Sequence, residues 1–412
     1  MSKPKVFEKP IGVKDYLPEA VERLRRIERN VLECMSRWGY REIMTPTLEY
    51  YDTVGVASAT DDRKLFKLLD RWGTTLVMRS DMTAPIARVV ASLLREKPLP
   101  LRLSYHANVF RAIEEEAGRS SEFYQTGVEL VGDSSAEADA EVIALSIASL
   151  KAAGVRKFRV AIGHVGFIDG LFEETLPGLE NEQEELKDFL LRRDYVGYRD
   201  MLSRLGLASQ HSAALEGILR LRGGQEVCEH AFALSENEKA REAIRHLCEV
   251  LDVLKAYDAV SDVIIDLTMT GTYNYHTGLT FEGYASDLGF PVLNGGRYDN
   301  LLGWFGRPAP ATGFSLKTNR ILEYVSSGSS SGGAGEEDGR RRVLIVYTAE
   351  HREEALRKSR ELRTQPDTVV TTRRVDRDHE PLKDVSVRAD GIHEWNGGLY
   401  DEIMTFGRGL QR

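Results

Sequence analysis

The chain has little cysteine and no long apolar run, and both shortages narrow what it can be. Its three cysteines, Cys34, Cys228 and Cys248, are odd in number and far apart. Neither a disulfide framework nor a metal-ligand spacing follows from them. Cys34 and Cys248 fall in apolar helical patterns and read as core thiols, so no metal is expected, and no cofactor. No stretch approaches the roughly 18 apolar residues of a membrane span. Met1 to Pro10 is polar and charged and lacks the apolar core of a signal peptide. The expectation is a cytoplasmic protein with no membrane partner. Also missing is a basic stripe with interleaved aromatics. Net charge is −9, from 55 Lys+Arg against 64 Asp+Glu, and the densest basic cluster, Arg340-Arg341-Arg342, follows the acidic run Glu336-Glu337-Asp338. That is the composition of a solvated linker end, and no nucleic-acid partner is expected. Sequence repeats are absent.

What is present describes an ordinary folded protein, 42% hydrophobic and 29% charged, with 412 residues that call for two or more domains. Pro18 suits a first helical position, and Val21, Leu24, Ile27, Val31, Met35 and Trp38 form one apolar stripe ending at Gly39. A strand is expected over Tyr40 to Thr45, stopped by Pro46. Phe66–Leu69 and Thr75–Arg79 flank a turn, Ala84–Leu94 reads as a helix, and Leu101–Arg111 pairs with Glu122–Leu130. A helix over Ala136–Ala153 and a strand over Phe158–Ile162 precede a continuously helical stretch, 171–257. Strand patterns return at Val263–Leu267, Gly278–Tyr284 and Phe290–Leu293, and a helix fits Ser315–Tyr324. A Ser/Gly-rich linker then leads to one β-α-β pattern, Val343–Tyr347, Arg352–Leu362 and Thr368–Val375.

Six strings stand out along this frame. Pro10-Ile-Gly-Val-Lys-Asp15-Tyr-Leu-Pro18 opens the first helix. Met78-Arg79-Ser80-Asp81-Met82-Thr83-Ala84 carries a carboxylate and a hydroxyl at a strand end. Phe110-Arg111 is followed by a polar loop through Gly118-Arg119, then Glu122-Phe-Tyr-Gln125-Thr-Gly-Val-Glu129. Alternation along a strand puts 125, 127 and 129 on one face, as a pocket floor requires. Tyr273-Asn-Tyr275-His276-Thr-Gly-Leu-Thr-Phe-Glu282 and Pro291-Val-Leu-Asn-Gly-Gly-Arg297-Tyr298-Asp299 complete the set, with Ala311-Thr-Gly-Phe-Ser-Leu-Lys317-Thr-Asn319-Arg320 near the end of the main body.

In order, these strings resemble the catalytic core of histidyl-tRNA synthetase over about residues 5 to 325. The resemblance implies an α+β fold, a class II aminoacyl-tRNA synthetase-like antiparallel sheet flanked by helices. The 171–257 segment would be its helical insertion. The expected divisions are a core over 1–325, a linker over 326–342 and a small C-terminal α/β module over 343–412. The first helix and strand correspond to the family's homodimer interface. Candidates for a histidine pocket are Asp81, Thr83, Arg111, Gln125, Glu129, Tyr275, His276, Arg297 and Tyr298. In the family the acid and threonine of the Asp81 segment hold an ammonium, the arginine at 111 grips a carboxylate and a phosphate, and the acid at 129 pairs with an imidazole. Arg119, Lys317 and Arg320 mark a vestigial nucleotide site.

The departures are selective. Gly271 stands where the family has an arginine that neutralises charge during adenylation, a loss typically worth about 10²–10³-fold in rate. Ile113 and Ser121 replace a glutamate and an arginine of the motif 2 loop. Lys317 replaces a glycine and Asn319 a glutamate. Pocket groups persist while reaction groups are lost, and this pattern resembles the histidyl-tRNA-synthetase-like regulatory subunits of ATP phosphoribosyltransferase. The resemblance implies no catalysis of its own, a short-form catalytic subunit as partner, and histidine as effector, bound in the old amino-acid pocket or at a subunit interface. The alternative is a divergent, active histidyl-tRNA synthetase, supported by Arg111, Arg320 and the Gly-Gly-Arg-Tyr-Asp string. A third reading, a sensor of uncharged tRNA, requires a basic surface.

Overall fold

A computed structural model describes residues 7–58, 60–112, 120–271, 275–286, 288–328, 340–375, 385–388 and 390–407. Two compact units are formed, Met1–Ser327 and Gly328–Arg412. In the first, helix α1 (Pro18–Arg37) begins at Pro18, whose missing N–H would be unpaired there anyway. It buries Leu24, Ile27, Val31 and Met35, and ends where Gly39 takes φ +84°. Then come β1 (Arg41–Glu42), β2 (Leu48–Tyr50), β3 (Lys67–Leu69), β4 (Thr75–Met78), α2 (Thr83–Ala91), β5 (Leu101–Phe110) and β6 (Glu122–Val131). After α3 (Ala136–Ala152) and β7 (Phe158–His164) the chain is helical: α4 (Val165–Thr175), α5 (Glu180–Arg192), α6 (Tyr195–Arg204) and α7 (Ser209–Gly217). The short strand β8 (Arg222–Gly223) interrupts it before α8 (Glu226–Phe232) and α9 (Glu238–Ala256). Finally β9 (Val263–Asp266), β10 (Leu279–Ala285), β11 (Leu293–Arg297), β12 (Ala311–Lys317) and α10 (Thr318–Gly328) close the unit.

One nine-stranded sheet organises these elements in the order β1-β5-β6-β12-β11-β10-β7-β9-β8, while β2-β4-β3 form a small separate sheet. From β5 to β7 every neighbour pair is antiparallel, and β1–β5 and β7–β9 are parallel. Helix α3 is apolar on nearly every side and is buried along most of its length, as a helix sandwiched in a core must be. Ser135 caps it by accepting the Ala138 N–H at 3.3 Å.

Three expectations shift. The strand expected over Tyr40–Thr45 shrinks to Arg41–Glu42, because the Arg79 guanidinium takes the Thr45 carbonyl at 2.7 Å and draws the chain off the sheet. The strand expected over Phe290–Leu293 lies instead at Leu293–Arg297. Its two glycines are strand residues there: a Cβ on Gly295 would fall 2.2 Å from the Phe281 ring. The helix expected from Ser315 starts at Thr318, since Ala311–Lys317 pair with both β6 and β11.

In the second unit, β13 (Arg341–Tyr347), α11 (Arg352–Arg363) and β14 (Thr368–Arg374) form a right-sized β-α-β unit. The later strands are β15 (Ser386–Val387), β16 (His393–Trp395), β17 (Gly398–Tyr400) and β18 (Glu402–Phe406). Strand β18 adds a third parallel strand beside β13, and β15-β16-β17 make a separate antiparallel sheet. Most of the expected linker, 329–339, lies outside the described residues.

Candidate functional site

The antiparallel register sets Gly313 opposite Glu129, Ser315 opposite Gly127, Lys317 opposite Gln125, and Gly296 opposite Gly313. One face of β6, β12 and β11 therefore presents small residues beside two long polar ones, and a cleft forms over them. Its empty space, counted together with the solvent at its mouth, is about 340 Å³. Tyr105 of β5, Asp81 and Thr83 at the start of α2, Tyr275 and His276 before β10, and Tyr298 after β11 complete its walls.

Glu129 is the centre of its polar network. Its side chain is buried, and Oε1 accepts from the Thr83 hydroxyl at 2.9 Å while Oε2 accepts from the Tyr298 phenol. Burial pushes the carboxyl up to about 8, against the downward pull of those two hydrogen bonds. At neutral pH it is therefore mostly protonated. Burial likewise holds the Tyr298 phenol well above its ordinary value, followed by repulsion from Glu129. His276 is pushed down to about 4 by burial, so its ring is neutral. The Tyr275 ring stands edge-on to both Tyr298, at 5.5 Å, and His276, at 5.4 Å. A Cβ on Gly313 would lie 2.0 Å from Glu129 Oε2, so only glycine leaves room for that carboxylate. Asp81 is held by the Ser58 hydroxyl at 2.5 Å and by the Ala84 N–H at 3.1 Å.

Seven of the nine sequence candidates thus meet around one cleft: Asp81, Thr83, Gln125, Glu129, Tyr275, His276 and Tyr298. Arg111 and Arg297 do not line it. Arg111 Nε donates to the Ser80 carbonyl at 2.8 Å, and its guanidinium stands 5.5 Å from the Phe123 ring. Asn294 and Gly296 face the cleft, so alternation turns Arg297 to the opposite side of β11, where it pairs with Asp139 at 2.9 Å. Tyr105, Asn294 and Ser315 line the cleft without having been singled out. Tyr105 could have been found from the hairpin, since it sits opposite Gly127.

The residues expected to mark a vestigial nucleotide site are placed differently. Asn319 accepts the Tyr124 N–H at 2.6 Å and donates to the Tyr16 hydroxyl. Arg320 donates to the Pro291 carbonyl at 2.7 Å and lies 4.2 Å over the Phe290 ring. Lys317 ends β12 beside Gln125. Gly271 has φ +88°, a conformation an arginine rarely adopts, and its Cβ would fall 3.3 Å from His276 Nδ1. Ile113, Arg119, Tyr273 and Asn274 lie outside the described residues. Among the described residues no cluster of His, Cys, Asp and Glu could hold a metal, and no helix is long and apolar enough to cross a membrane.

Comparison with known proteins agrees with this geometry. The histidyl-tRNA synthetase family profile matches residues 12–321. The ATP phosphoribosyltransferase regulatory subunit of Bacillus licheniformis is 47% identical over 365 residues, 89% of this chain and 91% of that protein. A crystal structure described as an ATP phosphoribosyltransferase regulatory subunit/histidyl-tRNA synthetase from Bacillus halodurans superposes with a TM-score of 0.85. It is 41% identical and covers 98% of this chain and 100% of the other. Histidyl-tRNA synthetase from Nostoc sp. shares the fold at 20% identity, with a TM-score of 0.75 over 90% of this chain and 86% of its own. The chain belongs to the histidyl-tRNA synthetase family and, within it, to the ATP phosphoribosyltransferase regulatory subunits.

Proposed function

We propose that this chain activates a short-form catalytic subunit of ATP phosphoribosyltransferase, performs no chemistry itself, and senses histidine in the cleft around Glu129. The catalytic partner would join ATP to phosphoribosyl pyrophosphate, the first step of histidine biosynthesis, in the cytoplasm. The observation that carries the reading is a contrast between two regions: a cleft with a buried acid, and the start of α10, where the nucleotide-site candidates Asn319 and Arg320 bond to the protein itself.

In this reading the histidine imidazole meets Glu129 and Tyr298, with Gln125, Tyr275 and His276 around it, and Asp81 and Thr83 take the ammonium. An imidazole N–H or imidazolium restores to Glu129 the stabilisation that burial removed, so binding shifts protons as well as charge. Exposed Leu17 just before α1, Met44 just after β1, and Leu48 and Tyr50 of β2 support a homodimer through this N-terminal stretch. Feedback then needs only that histidine prefer an inactive arrangement of the complex, typically by about 1–3 kcal/mol of coupling.

The test is to mix the purified chain with a short-form catalytic subunit and assay phosphoribosyl-ATP formation with and without histidine. Activity that needs both chains and falls with histidine is expected. No activation, together with histidine-dependent ATP–pyrophosphate exchange by this chain alone, would make it a synthetase instead.

A further inference from the structure

Arg297, which faces away from the cleft, sits in a bond network that joins β11 to α3, α9 and the Thr277 and Ala311 backbone. Its Nε donates to Asp139 of α3 at 2.9 Å, and Nη1 donates to Asp299 and to the Asp133 carbonyl, each at 3.1 Å. Asp139 is fully buried, and the same Oδ2 lies 3.3 Å from His246 Nε2 of α9. Asp299 in turn accepts the Ala311 N–H at 3.0 Å and donates its own N–H to Thr277 Oγ1 at 3.0 Å. The backbone closes the loop: Thr277 N–H to Arg297 carbonyl at 2.9 Å and Tyr298 N–H to Ala311 carbonyl at 2.8 Å.

Two consequences follow from chain connectivity. Tyr298 lies between Arg297 and Asp299, so both of its neighbours are pinned on the outer side while its phenol reaches inward to Glu129. Thr277 directly follows Tyr275 and His276, so the same bonds fix where those two rings enter the cleft. We infer that Arg297 and Asp139 are positioning residues for ligand recognition, setting Tyr298, Tyr275 and His276 against Glu129 without touching the ligand. The pair also ties the wall to the helical insertion, because His246 shares the Asp139 oxygen.

A buried ion pair need not contribute net stability, since desolvation offsets attraction. Its value here is geometric: a guanidinium offers several donors in one plane, and a lysine offers one point charge. Arg297→Gln keeps polarity and loses the charge and fork, whereas Arg297→Lys keeps the charge.

This inference rests on the histidine reading for its ligand, so the experiment has two arms. Histidine affinity by calorimetry is expected to fall about tenfold to a hundredfold in R297Q and D139N, with partial recovery in R297K and an undiminished number of sites. The second arm needs no histidine. The carboxyl carbon of Glu129 is followed by NMR through a pH titration, with Glu129→Gln identifying the signal. Loss of the Tyr298 hydrogen bond, which holds that carboxyl down, should move its titration to higher pH in R297Q than in wild type. If wild type binds no histidine while the titration still moves, the histidine reading fails and the positioning role stands. If R297Q binds with wild-type affinity, or titrates as wild type does while losing only thermal stability, the positioning role is overturned.

Discussion

Two regions of the first unit, the cleft around Glu129 and the start of α10, have met different fates. At the Glu129 end, polar side chains converge on an open cleft, and the acid among them is held in its neutral form by burial. At the Asn319 end, the polar side chains are consumed by the protein: Asn319 by Tyr124 and Tyr16, Arg320 by Pro291 and Phe290. The cleft stands on β6, β12 and β11, while Asn319 and Arg320 open α10 directly after β12. Both regions complete hydrogen bonds internally; the difference is that the Glu129 side chains do so around a cleft with room beside them, whereas Asn319 and Arg320 are packed onto backbone and rings.

That contrast can be broken most severely at Glu129. Glu129→Ala should weaken histidine binding by about 2–3 kcal/mol, roughly 30- to 150-fold, because a charge-assisted hydrogen bond and its buried partners are lost together. Calorimetry checks it, with co-purification of the catalytic subunit as the control for folding. Unchanged affinity would move histidine to a subunit interface. Next in size is Gly313→Ala, whose methyl would collide with Glu129 Oε2. Overpacking of this kind costs about 1–3 kcal/mol, read as a lower thermal midpoint, and the displaced carboxylate should also weaken histidine binding.

At the other end the effects should be on stability alone. Asn319→Ala removes the acceptor for the Tyr124 N–H and should cost about 1 kcal/mol. Denaturant unfolding should detect that loss while calorimetry finds histidine affinity unchanged. The smallest effect is a slope. A carboxyl raised from its ordinary 4.5 to about 8 in the fold binds protons more tightly folded than unfolded. Its contribution to stability is therefore full below about 4.5 and is lost as pH rises through about 8. Wild type should lose stability relative to Glu129→Gln across that window, with a flat difference above it. A parallel pH profile for the two proteins would place the carboxyl in a better solvated setting.

Much of this architecture was legible because local signals agreed with tertiary ones. The stripe from Leu24 to Met35 needed no partner to be read as α1, and the β5–β6 hairpin declared itself by pattern and by its glycine-containing loop. Glu129, Gln125 and Thr83 line one cleft, as the resemblance of their strings implies. The middle of the sheet was harder. Gly295 and Gly296 read locally as turn residues, and only the Phe281 ring and the β12 backbone packed beside them make a strand there. Placing that strand at Phe290–Leu293 also hid the alternation that would have turned Arg297 away from the cleft. Gly271 was read from the sequence as a missing charge. Its positive φ adds a second reason that no sequence pattern carries.

The two-residue strand β8 bears on how this molecule could be taken apart. Arg222 and Gly223 pair with Asp266 and Ile265 at the rim of the main sheet, and the Leu267 N–H reaches back to the Leu221 carbonyl at 3.0 Å. The helical segment therefore leaves the sheet through β7, returns through β9, and in between lends the sheet its outermost strand. It is woven in rather than hung on. A cassette that contributes a thread to its host's own fabric cannot be cut out or grafted from a relative without unravelling the selvedge, so its sequence is free to drift only in step with the rim it finishes.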